Sequence, residues 1–208
     1  KWQSYMLQWL CEKNAEKGFV QYIHQGPRRD QNSRLFKKYG ADIGGDGPGE
    51  NLDGGSMIKL LNALDSKIVP SSLDGTGLAK TVIFPLRSED FEVVLNGTRS
   101  FLGNSAGIAS KLQLGTPWWF NDLKEVIGKV MHELNIRGSL GNWLGMLSDA
   151  RSLPSVIARH ALFRAVLSAK LVEEFPRAEP ESLVELAEKI CHLNAKEFLR
   201  LNRSAPNE

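Results

Sequence analysis

Apolar positions recur along this chain in two rhythms, one of helical period and one of strand period. Trp2, Tyr5, Met6, Trp9 and Leu10 follow the helical period, which predicts an amphipathic helix over 2–17 that stops at Gly18 with its aromatics in the core. Phe19 to His24 is short and β-prone, and Gly26-Pro27 ends it. Ser33 is placed to cap a short helix through Lys38. Ser56 is placed to cap another that turns Met57, Leu60, Leu61, Leu64 and Ile68 inward. Thr81–Phe84 reads as a strand stopped by Pro85. The alternation of Phe91, Val93 and Leu95 before the turn pair Asn96-Gly97 predicts a second strand, and residues 98–102 a third.

Beyond Pro117 the period is helical throughout. Leu123, Val126, Ile127, Val130, Met131 and Leu134 form one inward stripe, with Gly138 as the terminating glycine. Trp143, Leu144 and Leu147 predict a short helix. Ser152 and Pro154 open a longer one through Glu174, apolar on most faces and therefore expected at the centre of a bundle. A last helix begins near Pro180. The fold class expected is α+β: mostly helical, with a small central β-sheet followed by a C-terminal helical bundle. Residues 1–116 form the mixed portion and 117–208 the bundle, packed as one domain.

One stretch carries neither rhythm. Residues 26–55 begin with a basic half (Arg28, Arg29, Arg34, Lys37, Lys38) and end with a glycine-rich half bearing Asp42, Asp46, Glu50 and Asp53. A long loop of this kind is expected to be functional or poorly ordered until something binds it. The basic half resembles an arm able to neutralise phosphates, with Arg164 on the long helix as a second contact, so nucleic acid is an expected partner.

Composition changes this picture little. The 208 residues are 42% hydrophobic and 24% charged with a net charge of +2, as expected for a soluble chain with a sizeable core. Cys11 and Cys191 stand far apart, which excludes a cysteine-rich zinc module and leaves open a single disulfide between terminal helices. No apolar run is long enough for a membrane span, so a cytoplasmic location and no membrane partner are expected. The chain opens at Lys1 without Met, as a fragment or a processed form would.

Several motifs offer chemistry. Asp42, Asp46, Gly47, Glu50 and Asp53 fall at calcium-loop spacings, but Gly44 stands where an oxygen ligand is needed and Asp53 is short for a bidentate position. Gly45-Asp46-Gly47-Pro48-Gly49 lacks the lysine and the strand–helix setting of a phosphate loop. Gly103-Asn104-Ser105-Ala106-Gly107 matches a nucleophile elbow, making Ser105 the candidate nucleophile of a serine hydrolase, with Asp122 or Asp149 and His160 or His192 as partners. The helical character after Pro117 leaves no strands to present those partners. Glu89, Asp90 and Glu92 resemble a metal-bearing strand start without its usual lysine. No metal and no cofactor is expected. The preferred reading is a non-enzymatic binding or assembly module within a larger complex, contacting nucleic acid through Arg28, Arg29, Arg34, Lys37, Lys38 and Arg164. The alternatives are the Ser105 hydrolase and a pure protein-interaction domain with Trp118, Trp119 and Phe120 partly exposed.

Overall fold

The computed structural model describes residues 2–101 and 110–201, and three parallel strands lie at its centre. Helix α1 (Trp2–Lys17) leads into β1 (Gln21–Gln25). The two-residue strands β2 (Pro27–Arg28) and β3 (Gly47–Pro48) pair antiparallel around helix α2 (Ser33–Tyr39), and α3 (Gly54–Asp65) follows. Strand β4 (Thr81–Pro85), helix α4 (Asp90–Thr98), strand β5 (Leu112–Leu114) and helix α5 (Lys124–Ile136) alternate next. Helices α6 (Leu153–Glu174), α7 (Pro180–Glu188) and α8 (Asn194–Phe198) close the described chain, with a π-helical turn at Lys189–Leu193. The sheet order is β1-β4-β5, with Gln21 opposite Thr81 and Thr81 opposite Leu112. The class is therefore mixed helix and sheet, with a small parallel sheet.

Parallel sheets are normally covered on both faces. Here Ile83, Leu112 and Leu114 on one face pack into the main core with Leu61, Leu64, Val94, Ile127, Val130 and Phe163. That core draws on residues from both sides of Pro117. The other face carries Val82 and Phe84, which cluster with Leu86, Trp118 and Phe198, while Tyr22 and His24 on the same face stay exposed. Helix α6 buries Phe163, Val166, Leu167 and Leu171, each contributing roughly 1.5–3 kcal/mol. It leaves Leu153, Ile157 and Val172 exposed, so it flanks the core rather than running through a bundle.

Several expectations are corrected. Residues 90–98 are helix, not strand: Phe91, Val94, Leu95 and Thr98 are buried at helical spacing, and Asp90 and Glu92 lie in the first turn. Arg99–Phe101 is a 3-10 turn rather than a third strand. The strand Leu112–Leu114 was not expected, and the helix over Trp143–Leu147 is absent, a 3-10 turn at Leu140–Asn142 leading instead into irregular chain. The caps of α2 and α3 are Asn32 and Asp53, not Ser33 and Ser56; Asp53 accepts from the backbone N–H groups of Gly55 and Ser56. On α1 the aromatics Trp2, Tyr5 and Trp9 face outward, and only Cys11 and Ala15 are buried. Cys11 and Cys191 are both free thiols. No described helix is long and apolar enough to cross a membrane.

Residues 26–55, expected to be a long loop with one short helix, hold the strands β2 and β3 around α2 and are fastened to the sheet. Gly49 N–H donates to the Gly26 carbonyl at 2.5 Å, and Arg87 Nη1 donates to the Gly49 carbonyl. A Cβ at residue 49 would collide with that Gly26 carbonyl, so only glycine fits.

At the other end of the sheet, Lys111 and Asp74 form a buried ion pair at 2.5 Å, with Thr76 Oγ1 accepting a further bond from Lys111. Burial pushes the Asp74 carboxyl up, but the bond and charge of Lys111 and the bonds from Thr76 outweigh it, and its pKa lies below the usual value. The folded value being depressed, the pair's stabilisation is complete above the unfolded carboxylate pKa of about 3.9 and is lost as pH falls through the folded value. Lys111→Met leaves Asp74 buried and unpaired. It is expected to cost about 3 kcal/mol at pH 7, measured by urea denaturation, with the difference from the parent chain shrinking in acid.

Candidate active site

All three strands of a parallel sheet end on the same side, and in such sheets ligands collect beyond the strands' carboxyl ends. Here β1 runs into Arg29, β5 runs through Gly115 into Trp118, Trp119 and Phe120, and the segment before α6 brings Asp149, Arg151 and Ser152 to the same place. Together with Asp42, Gly44, Asp46, Ser155 and Arg159 these residues line a cleft of about 760 Å3. That size suits a small molecule.

The rim is held by charge. Arg29 Nη1 donates to Asp46 Oδ2 at 2.5 Å while Asp46 Oδ1 accepts from the Asp30 backbone N–H. The Asp30 bond and then the Arg29 bond lower the Asp46 pKa, and the Asp46 bond raises that of Arg29. The Arg29 guanidinium also lies over the Trp119 ring, 5.4 Å from its centroid. Trp119 stacks on Phe120 with ring centroids 4.7 Å apart, and Trp118 lies tilted against His24 at 4.5 Å. The Trp118 indole N–H is buried and has no hydrogen-bond partner among the described residues. Arg151 is exposed and has no ion-pair partner among the described residues.

Backbone strain concentrates at this cleft. Asp42 has φ 61°, Trp119 φ 53° and Asp149 φ 44°, three of the six described non-glycine residues with positive φ. Left-handed conformations in ordinary residues are costly and gather at functional sites. Ser152, Ser155 and Arg159 share one face of the first two turns of α6, so that helix presents its positive end to the cleft wall.

Of the expected contact residues, only Arg29 enters this cleft, and it does so already paired. Arg28 is exposed on β2, and Arg34, Lys37 and Lys38 are exposed on α2, Lys38 lying over the Tyr39 ring. Arg164 is exposed further along α6. Ser105 lies outside the described residues. The calcium-loop acids are engaged elsewhere, Asp46 with Arg29 and Asp53 as a helix cap, and no group of three or more His, Cys, Asp or Glu gathers in a metal-binding arrangement among the described residues. Asp90, expected at a strand start, is buried at the head of α4 and accepts from Leu52 N–H. Asp149 was expected only as a possible acid partner of Ser105; the structure instead places it with Arg151 at the cleft, where the acid–x–base triplet Asp149-Ala150-Arg151 is the local sequence signal.

The comparisons with known proteins point to one family. The family model described as glucuronate isomerase matches residues 1–199. The chain is 34% identical over 200 residues to a uronate isomerase of Photorhabdus laumondii, covering 94% of this chain and 40% of the relative. It is 37% identical over 203 residues to one from Bacteroides fragilis, covering 95% and 41%. Among solved structures, the uronate isomerase of Thermotoga maritima superposes with a TM-score of 0.78 at 26% identity, covering 94% of this chain and 40% of that one. The glucuronate isomerase of Caulobacter crescentus gives 0.75 at 25%, covering 97% and 39%. The chain thus spans about 40% of the length of the relatives it matches. These likenesses overturn the reading of a non-enzymatic assembly module, a nucleic-acid partner or a protein-interaction domain. The clustered positive charge behind that reading is partly neutralised within the fold, by Asp46 at Arg29.

Proposed function

The chain belongs to the glucuronate isomerase family, and from that membership we propose that its cleft is part of a uronate-isomerising site. The observation that carries the reading is the meeting of an unpaired Arg151, an exposed and strained Asp149 and an unpartnered Trp118 indole N–H at the carboxyl ends of parallel strands. Each matches a part of an open-chain uronate. Arg151, with the N-terminal end of α6 beside it, suits the sugar acid's carboxylate. The Trp118 N–H suits a hydroxyl or carbonyl oxygen, and the Trp118 and Trp119 rings suit the carbon chain.

Asp149 is the candidate base. Isomerising an aldose to a ketose removes a proton from C2, gives an enediol, and returns a proton to C1 as the C2 hydroxyl becomes the carbonyl. A carboxylate held at the edge of the cleft can take and return that proton. The remaining walls are assigned in this reading to the rest of the family's length. Among the described residues strand β1 has no partner on its outer edge, and Tyr22 and His24 stand exposed beside it.

Calorimetric titration of the chain with glucuronate and with glucose, which lacks the carboxylate, tests this. Glucuronate is expected to bind at least about tenfold more tightly, and Arg151→Ala to abolish the difference. Equal affinity for the two sugars, or a preference that survives Arg151→Ala, would overturn the reading.

A further inference from the structure

Arg159 is not needed to explain the charge of the cleft, yet it is the residue through which two of its walls meet. Its Nη1 donates to the Ser148 carbonyl at 2.8 Å and pairs at 2.8 Å with Asp122 Oδ2. Asp122 belongs to the segment that carries Trp118 and Trp119: its N–H donates to the Trp119 carbonyl, and the neighbouring Asn121 side chain donates to the Leu86 carbonyl at the end of β4. Ser148 directly precedes Asp149.

The geometry has a specific consequence. The Ser148 carbonyl and the Asp149 N–H belong to one planar peptide unit. Fixing that carbonyl fixes the plane from which φ of Asp149 is measured, and that φ is 44°, in the left-handed region an aspartate leaves readily when nothing holds it. The Asp122 side chain is largely buried; among the described residues its Oδ1 has no hydrogen-bond partner and its ion pair is with Arg159. Burial pushes the Asp122 carboxyl up and Arg159 draws it back only in part.

We propose that Arg159, anchored by Asp122, is a positioning residue that locks the Ser148–Asp149 peptide and so aims the Asp149 carboxylate into the cleft. The proposal rests on the cleft being the reaction site only for its catalytic consequence; the mechanical lock stands or falls independently. In the full chain, Arg159→Gln removes the charge and Arg159→Lys retains it at a shorter reach. Hydrogen–deuterium exchange read by peptide is expected to speed up about tenfold or more over residues 145–151 in Arg159→Gln, with α5 unchanged and Arg159→Lys intermediate. In turnover of glucuronate, kcat is expected to fall in the same order with KM nearly constant.

Exchange over 145–151 that matches the parent chain, or that rises equally in α5, overturns the lock. If Arg159→Gln does not fold, Asp122→Asn releases the same anchor without changing side-chain shape, and the same two exchange outcomes decide. Failure of the parent chain to turn over glucuronate counts against the isomerase reading and leaves the exchange result to decide the lock.

Discussion

Asp149→Asn is expected to lower turnover of glucuronate about a thousandfold, whether the chain acts alone or joined to the rest of the family's length. The substitution isolates the proton-transfer role. Asparagine has the same shape, tolerates the left-handed conformation that Asp149 adopts at φ 44°, and lacks the basic oxygen. Asp149 is exposed, so little packing is lost and the melting temperature should stay within about 2 °C of the parent. The check is a proton NMR time course in D2O, which follows ketose formation and deuterium uptake together. Both should slow in the variant. Loss of ketose formation with undiminished deuterium uptake would assign the proton transfer to another group.

Trp143→Ala is expected to produce the largest loss of stability, about 4 kcal/mol. Trp143 is 1% exposed, packs against Phe163 with ring centroids 5.7 Å apart, and donates from Nε1 to the Leu114 carbonyl at 3.0 Å. Truncation opens a cavity, which for an aromatic costs roughly 3–5 kcal/mol, and strands a buried carbonyl, which costs roughly 1–3 kcal/mol where water does not reach it. Trp143→Phe keeps most of the volume and loses the bond, so it should cost about 1–2 kcal/mol. Urea denaturation at pH 7 measures both. Their order matters as much as their size: a phenylalanine variant as unstable as the alanine variant would mean that the bond to β5, rather than the packing, holds this corner.

That corner also serves the cleft. Trp143 begins the irregular segment that carries Asp149 and runs to α6, and Asn194 Nδ2 donates to the Trp143 carbonyl. Gly145, at φ 70°, sits so close to the Ile190 carbonyl of the π-helical turn that no side chain fits there. The path to Asp149 is therefore held from β5, from the π-helical turn, and through Arg159 from α6.

What could be read from the sequence follows from how local each signal is. The stripe Leu123, Val126, Ile127, Val130, Met131 and Leu134 predicted α5 because one helix buries one face; the last four are buried together with Gly128, Val126 is half-buried, and Leu123, just ahead of the helix, is exposed. Thr81–Phe84 was legible because a strand buried on both faces is a short unbroken apolar run. Residues 91–95 carry both signals: Phe91, Val93 and Leu95 satisfy a period of two, while Phe91 with Val94 and Leu95 satisfies the helical one, and α4 forms where its buried face packs against α3 and β5. Three-residue β5 is too short to show a period. The outward aromatics of α1 were placed in the core because spacing alone does not say which side of a helix is covered.

The site was hidden for a different reason. Arg29, Trp118 and Asp149 lie far apart in sequence and converge only because three strands run parallel and end together. The basic half of residues 26–55 is plain in the sequence as a concentration of charge. Its use was not legible, because the Asp46 that engages Arg29 lies in the glycine-rich half and reaches it only once β2 and β3 pair.

A crystal structure of the chain grown with glucuronate tests the central claim most directly. The account predicts the sugar acid in the cleft, its carboxylate within hydrogen-bond distance of Arg151, an oxygen on the Trp118 indole N–H, and C2 facing Asp149. Glucuronate bound away from Arg151 and Asp149 would contradict it.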